Sequence, residues 1–174
     1  MITRLEPGGD FAPINLATLG GGSITLGVPS KPENWQAIFS YRGKHCPICT
    51  RFLGELNAHV EELAKAGIEV VAVSGDTQER AAKHMEEAKP TFPIAFGLQL
   101  ETMRTLGLYI SEPAPSDDID EPFGEPGLFV VDGTGRLIVV NYSNASVARP
   151  NLGTLTMGLS FLKGHNYPIR GTQS

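Results

Sequence analysis

A run of mostly β-branched residues, Ile68-Glu69-Val70-Val71-Ala72-Val73, lies between two stretches of helical periodicity. A strand that is apolar on both sides needs cover on each face, as buried parallel strands have in α/β proteins. Ahead of it, Phe52, Leu56, Val60 and Leu63 recur at spacings of four, four and three, which is one face of a helix, and Leu53 and Ala64 widen that face. Gly67 is placed to stop that helix. Behind the strand, Asp76-Thr77-Gln78-Glu79 has the form of a capping box and predicts a second helix to about Ala88, which Pro90 and Pro93 end.

The remaining elements extend this alternation. A hairpin is predicted from residues 11–16 and 23–26 around Gly20-Gly21-Gly22. The glycine triplet is not followed by a Gly-Lys-Ser/Thr sequence or a glycine-spaced helix start, so it reads as a turn and not as a phosphate cradle. Residues 35–41 form an aromatic-rich strand, 94–96 a short strand, and Gln99 to Leu106 a short helix closed by Gly107. Residues 128–131 and 137–140 flank Asp132-Gly133-Thr134-Gly135, a strong hairpin signal, and a last helix is predicted from about Asn151 to Leu162. The segment 111–126 is acidic and proline-rich and reads as a surface loop. Strands alternating with helices, then an antiparallel pair, predict an α/β fold: a mixed central sheet with helices on both faces and an N-terminal β-hairpin extension. The expected organisation is one domain over residues 1–174, with a core of about 8–163.

Cysteine usage narrows the chemistry. The chain has two cysteines, Cys46 and Cys49, separated by Pro47 and Ile48, where a strand hands over to a helix. Two spacer residues bring the sulfurs together within one helical turn, and Pro47 suits the first helical position. The reactive form of a thiol is the thiolate, which a helix N-terminus and nearby cations stabilise. From Gln36 to Gly54 there is no Asp or Glu, whereas Arg42, Lys44, His45 and Arg51 are all present. The stretch therefore reads as a redox-active dithiol in a cationic window. A zinc site would need His45 and His59 to complete the ligand set, and the first adjoins Cys46 while the second lies far along the helix, so no metal and no cofactor is expected. His84 and His165 sit in polar sequence and read as surface residues.

Composition excludes other classes. A formal net charge of -5 gives no basic face for nucleic acid. No apolar run reaches the ~18 residues that span a bilayer. Residues 1–10 lack the apolar core of a secretion signal, so a cytoplasmic setting is expected, where a pairing of the two cysteines is transient.

Several stretches resemble the thioredoxin superfamily, and within it the peroxiredoxin-like branch, the alkyl hydroperoxide reductase/thiol-specific antioxidant group. Gly9-Asp10-Phe11-Ala12-Pro13 is similar to that group's opening motif, and residues 39–49 to its aromatic-Arg-Gly-x-x-Cys-Pro-x-Cys form. Val71-Ala72-Val73-Ser74 resembles the strand after the active helix, and residues 129–135 the Phe-x-x-Asp-x-x-Gly hairpin. The resemblance implies a thioredoxin-like fold and a thiol peroxidase or disulfide oxidoreductase. Its substrate would be hydrogen peroxide, an organic hydroperoxide or a disulfide, and its reductant an external dithiol such as a thioredoxin-type protein. A homodimer stays open. The site residues implied are Cys46, Cys49, Arg42 and Pro126, the last as the counterpart of a cis-proline that faces the dithiol in such folds. One departure matters: the family's Pro-x-x-x-Thr-x-x-Cys has Cys49 at its cysteine, Cys46 in place of the threonine and Arg42 in place of the proline. Either Arg42 or Arg149 would have to supply the family's arginine. The peroxiredoxin analogy makes Cys49 the nucleophile and the thioredoxin analogy makes it Cys46. A protein disulfide reductase, and a redox-sensing module using the acidic loop, are the alternatives.

Overall fold

The computed structural model describes residues 4–173; the first three residues of the stretch read for a secretion signal, and residue 174, lie outside them. At its centre is a five-stranded sheet. β3 (Trp35–Ser40) pairs in parallel with β4 (Ile68–Val73), and β4 with β5 (Ile94–Ala95). On the other side of β3 run β8 (Gly127–Val131) and β9 (Leu137–Tyr142), both antiparallel to their neighbours, giving the order β5-β4-β3-β8-β9. The mixed sheet is the one the sequence predicts.

Period-two alternation assigns each strand residue to one of two cores. Ala37, Phe39, Ile68, Val70, Ala72, Leu128 and Val130 face one cluster, which α1 (Pro47–Lys65) and α4 (Leu152–Gly164) cover, with Ala88 of α2 (Gln78–Ala88) beside them. Ile38, Val71, Val73, Phe129 and Val131 face the other cluster, beneath α3 (Leu100–Thr105) and the hairpin of β1 (Ile14–Ala17) and β2 (Ser23–Leu26). The α1 face carries Leu53, Leu56 and Leu63, all fully buried; each such side chain contributes roughly 1.5–3 kcal/mol. Gln36 is buried too: its Oε1 accepts from Gly27 N–H at 2.8 Å and its Nε2 donates to Thr25 O at 3.3 Å, which ties the hairpin to the sheet. No helix among the described residues is long and apolar enough to cross a membrane.

Four local expectations are corrected. The first strand begins at Ile14, because Phe11 is held elsewhere: its N–H donates to Gly135 O at 2.8 Å and its ring packs edge-on against Phe129. The second helix is capped by Thr77, whose hydroxyl accepts from Arg80 N–H, and not by a box starting at Asp76. The Asp76 carboxylate turns away and accepts the Lys44 N–H at 2.9 Å. The acidic surface loop is shorter than expected, covering 112–122, since β6 (Ile110–Ser111) and β7 (Phe123–Gly124) pair at its base. His84 is 1% exposed and not a surface residue; it lies on the α2 face turned toward α1, where polar sequence neighbours on the opposite face hide the burial.

Candidate active site

Cys46 is the N-cap of α1, with Pro47 at the first helical position. Its backbone is extended (φ −111°, ψ 99°), and its Sγ accepts the Cys49 N–H at 3.2 Å. Sulfur thus stands where a serine or aspartate oxygen commonly caps a helix, at the end that favours an anion. Cys46 is 2% exposed, Cys49 is wholly buried, and both are free thiols.

The two sulfurs divide one negative charge unequally. The Cys46 thiol is brought down to about 6, chiefly because the Cys49 thiol donates to its sulfur; this outweighs its own burial, and the Cys49 N–H, Arg149 and Arg42 add to it. Burial pushes the Cys49 thiol up, and its position as donor to Cys46 pushes it further. Arg149 pulls the other way, with Nη2 2.7 Å from Cys49 Sγ. The closest cation therefore touches the sulfur that keeps its proton. The reason is burial, which weighs most on Cys49, whereas Cys46 gains most from the hydrogen bonds that Cys49 donates to it.

Arg149 arrives from the connection between β9 and α4. Ser143 N–H donates to Pro126 O at 3.0 Å, Ser143 Oγ donates to Ala148 O, and Arg149 Nη1 donates to Ser146 O at 3.0 Å. The guanidinium lies 4.7 Å over the Phe52 ring, on the first turns of α1. Pro126 is buried and lines a narrow crevice with Phe39, Phe52, Arg149 and Pro150. Its peptide bond is trans, as are all those of the described residues, so the expected cis-proline is absent.

Arg42 does not reach a sulfur. Its Nε lies 3.4 Å from Glu125 Oε2 and its guanidinium 4.6 Å over Phe123. Glu125 is buried and also accepts from Ser111 Oγ at 2.7 Å. Lys44 pairs with Asp118 at 3.7 Å and Arg51 with Glu55 at 2.8 Å. The cationic window of the sequence is thus matched by carboxylates from the β7–β8 connection, the acidic segment and α1. His45 packs 4.4 Å from the Phe123 ring, and burial, then Arg42, lower its pKa. The turn ahead of Cys46 is anchored by Asp76, which takes the Lys44 N–H; Gly43 there has φ +127°, and a Cβ on it would stand 2.7 Å from Asp76 Oδ1. Sequence reasoning missed Asp76, Glu125 and His84. A buried acid or histidine has no one-dimensional signature, although an Asp that heads a plausible capping box is a residue with competing uses.

Among the described residues no three His, Cys, Asp or Glu side chains converge as metal ligands. Under the acidic segment lies a cleft of about 630 Å³ whose lining includes Arg42, Arg80, Met103, Asp118 and Phe123. A dithiol so placed can form a thiolate and, given a two-electron oxidant, can close a disulfide.

Comparison with known proteins gives the family and the fold. The sequence model of the AhpC/TSA family matches residues 7–140. A Syntrichia ruralis protein named "Probable 1-Cys peroxiredoxin" is 28% identical over 110 residues, 60% of this chain and 50% of that protein, so the chain spans about half that relative's length. A Mycobacterium tuberculosis protein named as a peroxiredoxin is 23% identical over 141 residues, 81% of this chain and 87% of its own length. Among solved structures, a cysteine mutant of peroxiredoxin 6 of Arenicola marina superposes with a TM-score of 0.77 at 17% identity, over 91% of this chain and 74% of that one. A peroxiredoxin-like protein from Aquifex aeolicus superposes with a TM-score of 0.73 at 16% identity, over 92% of this chain and 89% of that one. These two likenesses carry the fold.

Proposed function

Because the chain belongs to the AhpC/TSA family, we propose that it is a thiol peroxidase that reduces hydrogen peroxide or a small organic hydroperoxide with the Cys46–Cys49 dithiol. The observation that carries the reading is the pair of contacts joining Arg149 to the dithiol: Arg149 Nη2 donates to Cys49 Sγ at 2.7 Å, and the Cys49 N–H donates to Cys46 Sγ at 3.2 Å. It poises Cys46 as the thiolate, and it holds a proton donor and a cation in reserve beside it.

The Cys46 thiolate attacks the terminal peroxide oxygen. An S–O bond forms, the O–O bond breaks, and the alkoxide or hydroxide that leaves takes the Cys49 thiol proton. Cys46 is then a sulfenic acid and Cys49 a thiolate beside Arg149. Cys49 attacks the Cys46 sulfur; the S–S bond forms and hydroxide departs. One peroxide has gained two electrons, and an external dithiol of thioredoxin type returns them by exchange. Near-complete burial of both sulfurs favours a small hydroperoxide over a protein disulfide as the oxidising substrate. Arg42 acts on Cys46 only through its field, and Pro126 acts by shaping the crevice around Arg149.

A second assignment has its own observation. The 2.7 Å contact of Arg149 with Cys49 would suit Cys49 as the attacking thiolate, with Cys46 resolving it.

Stopped-flow loss of peroxide separates these readings. Wild-type protein should consume peroxide far faster than a free thiol at the same pH. Cys46→Ser should abolish the fast phase, and Cys49→Ser should keep one turnover and stall at the sulfenic acid. The opposite pattern would transfer the nucleophile to Cys49. Wild-type turnover at the free-thiol rate would sink the peroxidase reading.

A further inference from the structure

His84 is buried, is absent from the chemistry above and lies against the turn that bears the dithiol. Its Nε2 is 2.7 Å from Thr50 Oγ1, and Thr50 Oγ1 is 3.4 Å from the Cys46 carbonyl oxygen. That carbonyl also accepts the N–H groups of Cys49 at 3.0 Å and Thr50 at 3.2 Å. The other ring nitrogen, Nδ1, is buried with no partner, and the Tyr41 ring lies 5.5 Å away. A buried N–H with no acceptor is costlier than an unused lone pair, so the proton belongs on Nε2. His84 Nε2–H then donates to Thr50 Oγ1, and the Thr50 hydroxyl donates to Cys46 O. Burial lowers the His84 pKa, in keeping with a neutral ring at neutral pH.

We propose that His84 is a positioning residue that latches the first turn of α1 through Thr50. The latch holds Cys46 Sγ over the Cys49 N–H while the dithiol is reduced, and it must release when a bulky dithiol reductant reaches the buried disulfide. It therefore sets the balance between a closed turn that stabilises the thiolate and an open turn that can be reduced. The proposal rests on the dithiol reading but not on peroxide as substrate, because both of its readouts are obtained without peroxide turnover.

The test uses two variants of the full chain. Thr50→Val keeps the shape and removes the relay hydroxyl, and His84→Phe keeps the ring volume and removes both nitrogens. Two quantities are measured: the Cys46 titration, by alkylation rate against pH, and the rate at which a thioredoxin-sized dithiol reduces the preformed disulfide. Loss of one buried hydrogen bond should raise the open population, and with it the reduction rate, about five-fold. It should also move the Cys46 titration upward in pH. The double variant should match either single one, because both break one relay. A Cys46 titration and a reduction rate unchanged in both variants would overturn the latch, leaving His84 as packing alone. Additive effects in the double variant would overturn the relay. If His84→Phe fails to fold, Thr50→Val decides the matter alone, since it leaves the α1–α2 packing in place.

Discussion

Two arginines flank the dithiol, and they come from opposite ends of the chain. Arg42 stands four residues before Cys46, yet its guanidinium is committed to Glu125 and Phe123. Arg149 is 100 residues from Cys49, yet it touches the sulfur. The pre-cysteine loop looks cationic when read along the chain, but in space Glu125 and Asp118 oppose it. The β9–α4 connection, where the sequence offered Arg149 only as an alternative to Arg42, supplies the cation that touches sulfur. Charge near a site in sequence is therefore a poor guide to the field at the site, because a fold recruits counter-charges from any distance along the chain. The pairs also differ in weight. Lys44–Asp118 involves an aspartate with 77% of its side chain exposed, whereas the Glu125 side chain is 4% exposed. Exposed pairs contribute little, and a buried one is strongly missed when a single partner is removed.

The largest effect is expected at Arg149, the cation in contact with sulfur. Arg149→Met keeps the stem over Phe52 and removes the charged donor. Peroxide consumption should fall about ten- to a hundredfold, the rate equivalent of losing one charge-assisted hydrogen bond. Arg42→Met should cost less than about threefold, since that cation acts only through its field. Equal losses in stopped-flow assays of the two variants would end the distinction between the arginines.

Cys46 titrates at about 6, so its alkylation rate should be flat above that value. Below it the rate should drop about tenfold per unit as the thiolate takes up its proton. Cys49 should stay unreactive toward the same reagent until alkaline pH. A midpoint near the ordinary thiol value would remove Cys46 as the resting thiolate.

The pre-cysteine loop itself can be loosened with Gly43→Ala. A Cβ there meets Asp76 Oδ1 in a backbone conformation that suits glycine. Stability should fall by about 1–3 kcal/mol, read as a lower urea midpoint. An unchanged midpoint would mean that Asp76 does not fasten the loop.

The smallest expected effect is the most specific. Glu125→Gln keeps a partner for the Ser111 hydroxyl and removes the charge that neutralises Arg42. Cys46 should then titrate about half a unit lower, because the field of Arg42 is no longer offset. A shift in the other direction would mean that Glu125 does not screen Arg42 from the sulfur.

The strand at 68–73, the α1 face of Leu53, Leu56 and Leu63, and both hairpins were legible because each depends on periodicity within a few residues. So was the place of the dithiol, since Pro47 and the helical pattern behind it mark a helix start. Asp76 was misread because one carboxylate can either cap its own helix or hold a loop, and only packing chooses between them. His84 was misread because α2 shows solvent its charged face and turns the histidine toward α1. Arg149 could be named as a candidate, but nothing in the sequence selected it over Arg42.

What the sequence determined on its own was an α/β sheet covered on both faces with a two-cysteine turn at the head of a helix, because these follow from local spacing and from the burial that such spacing demands. The tertiary structure decided which arginine meets sulfur, which carboxylates neutralise the loop and how the hydrogen-bond donors divide between the two thiols. Those outcomes depend on distances between side chains remote in sequence and on burial, and electrostatic energies change steeply with both.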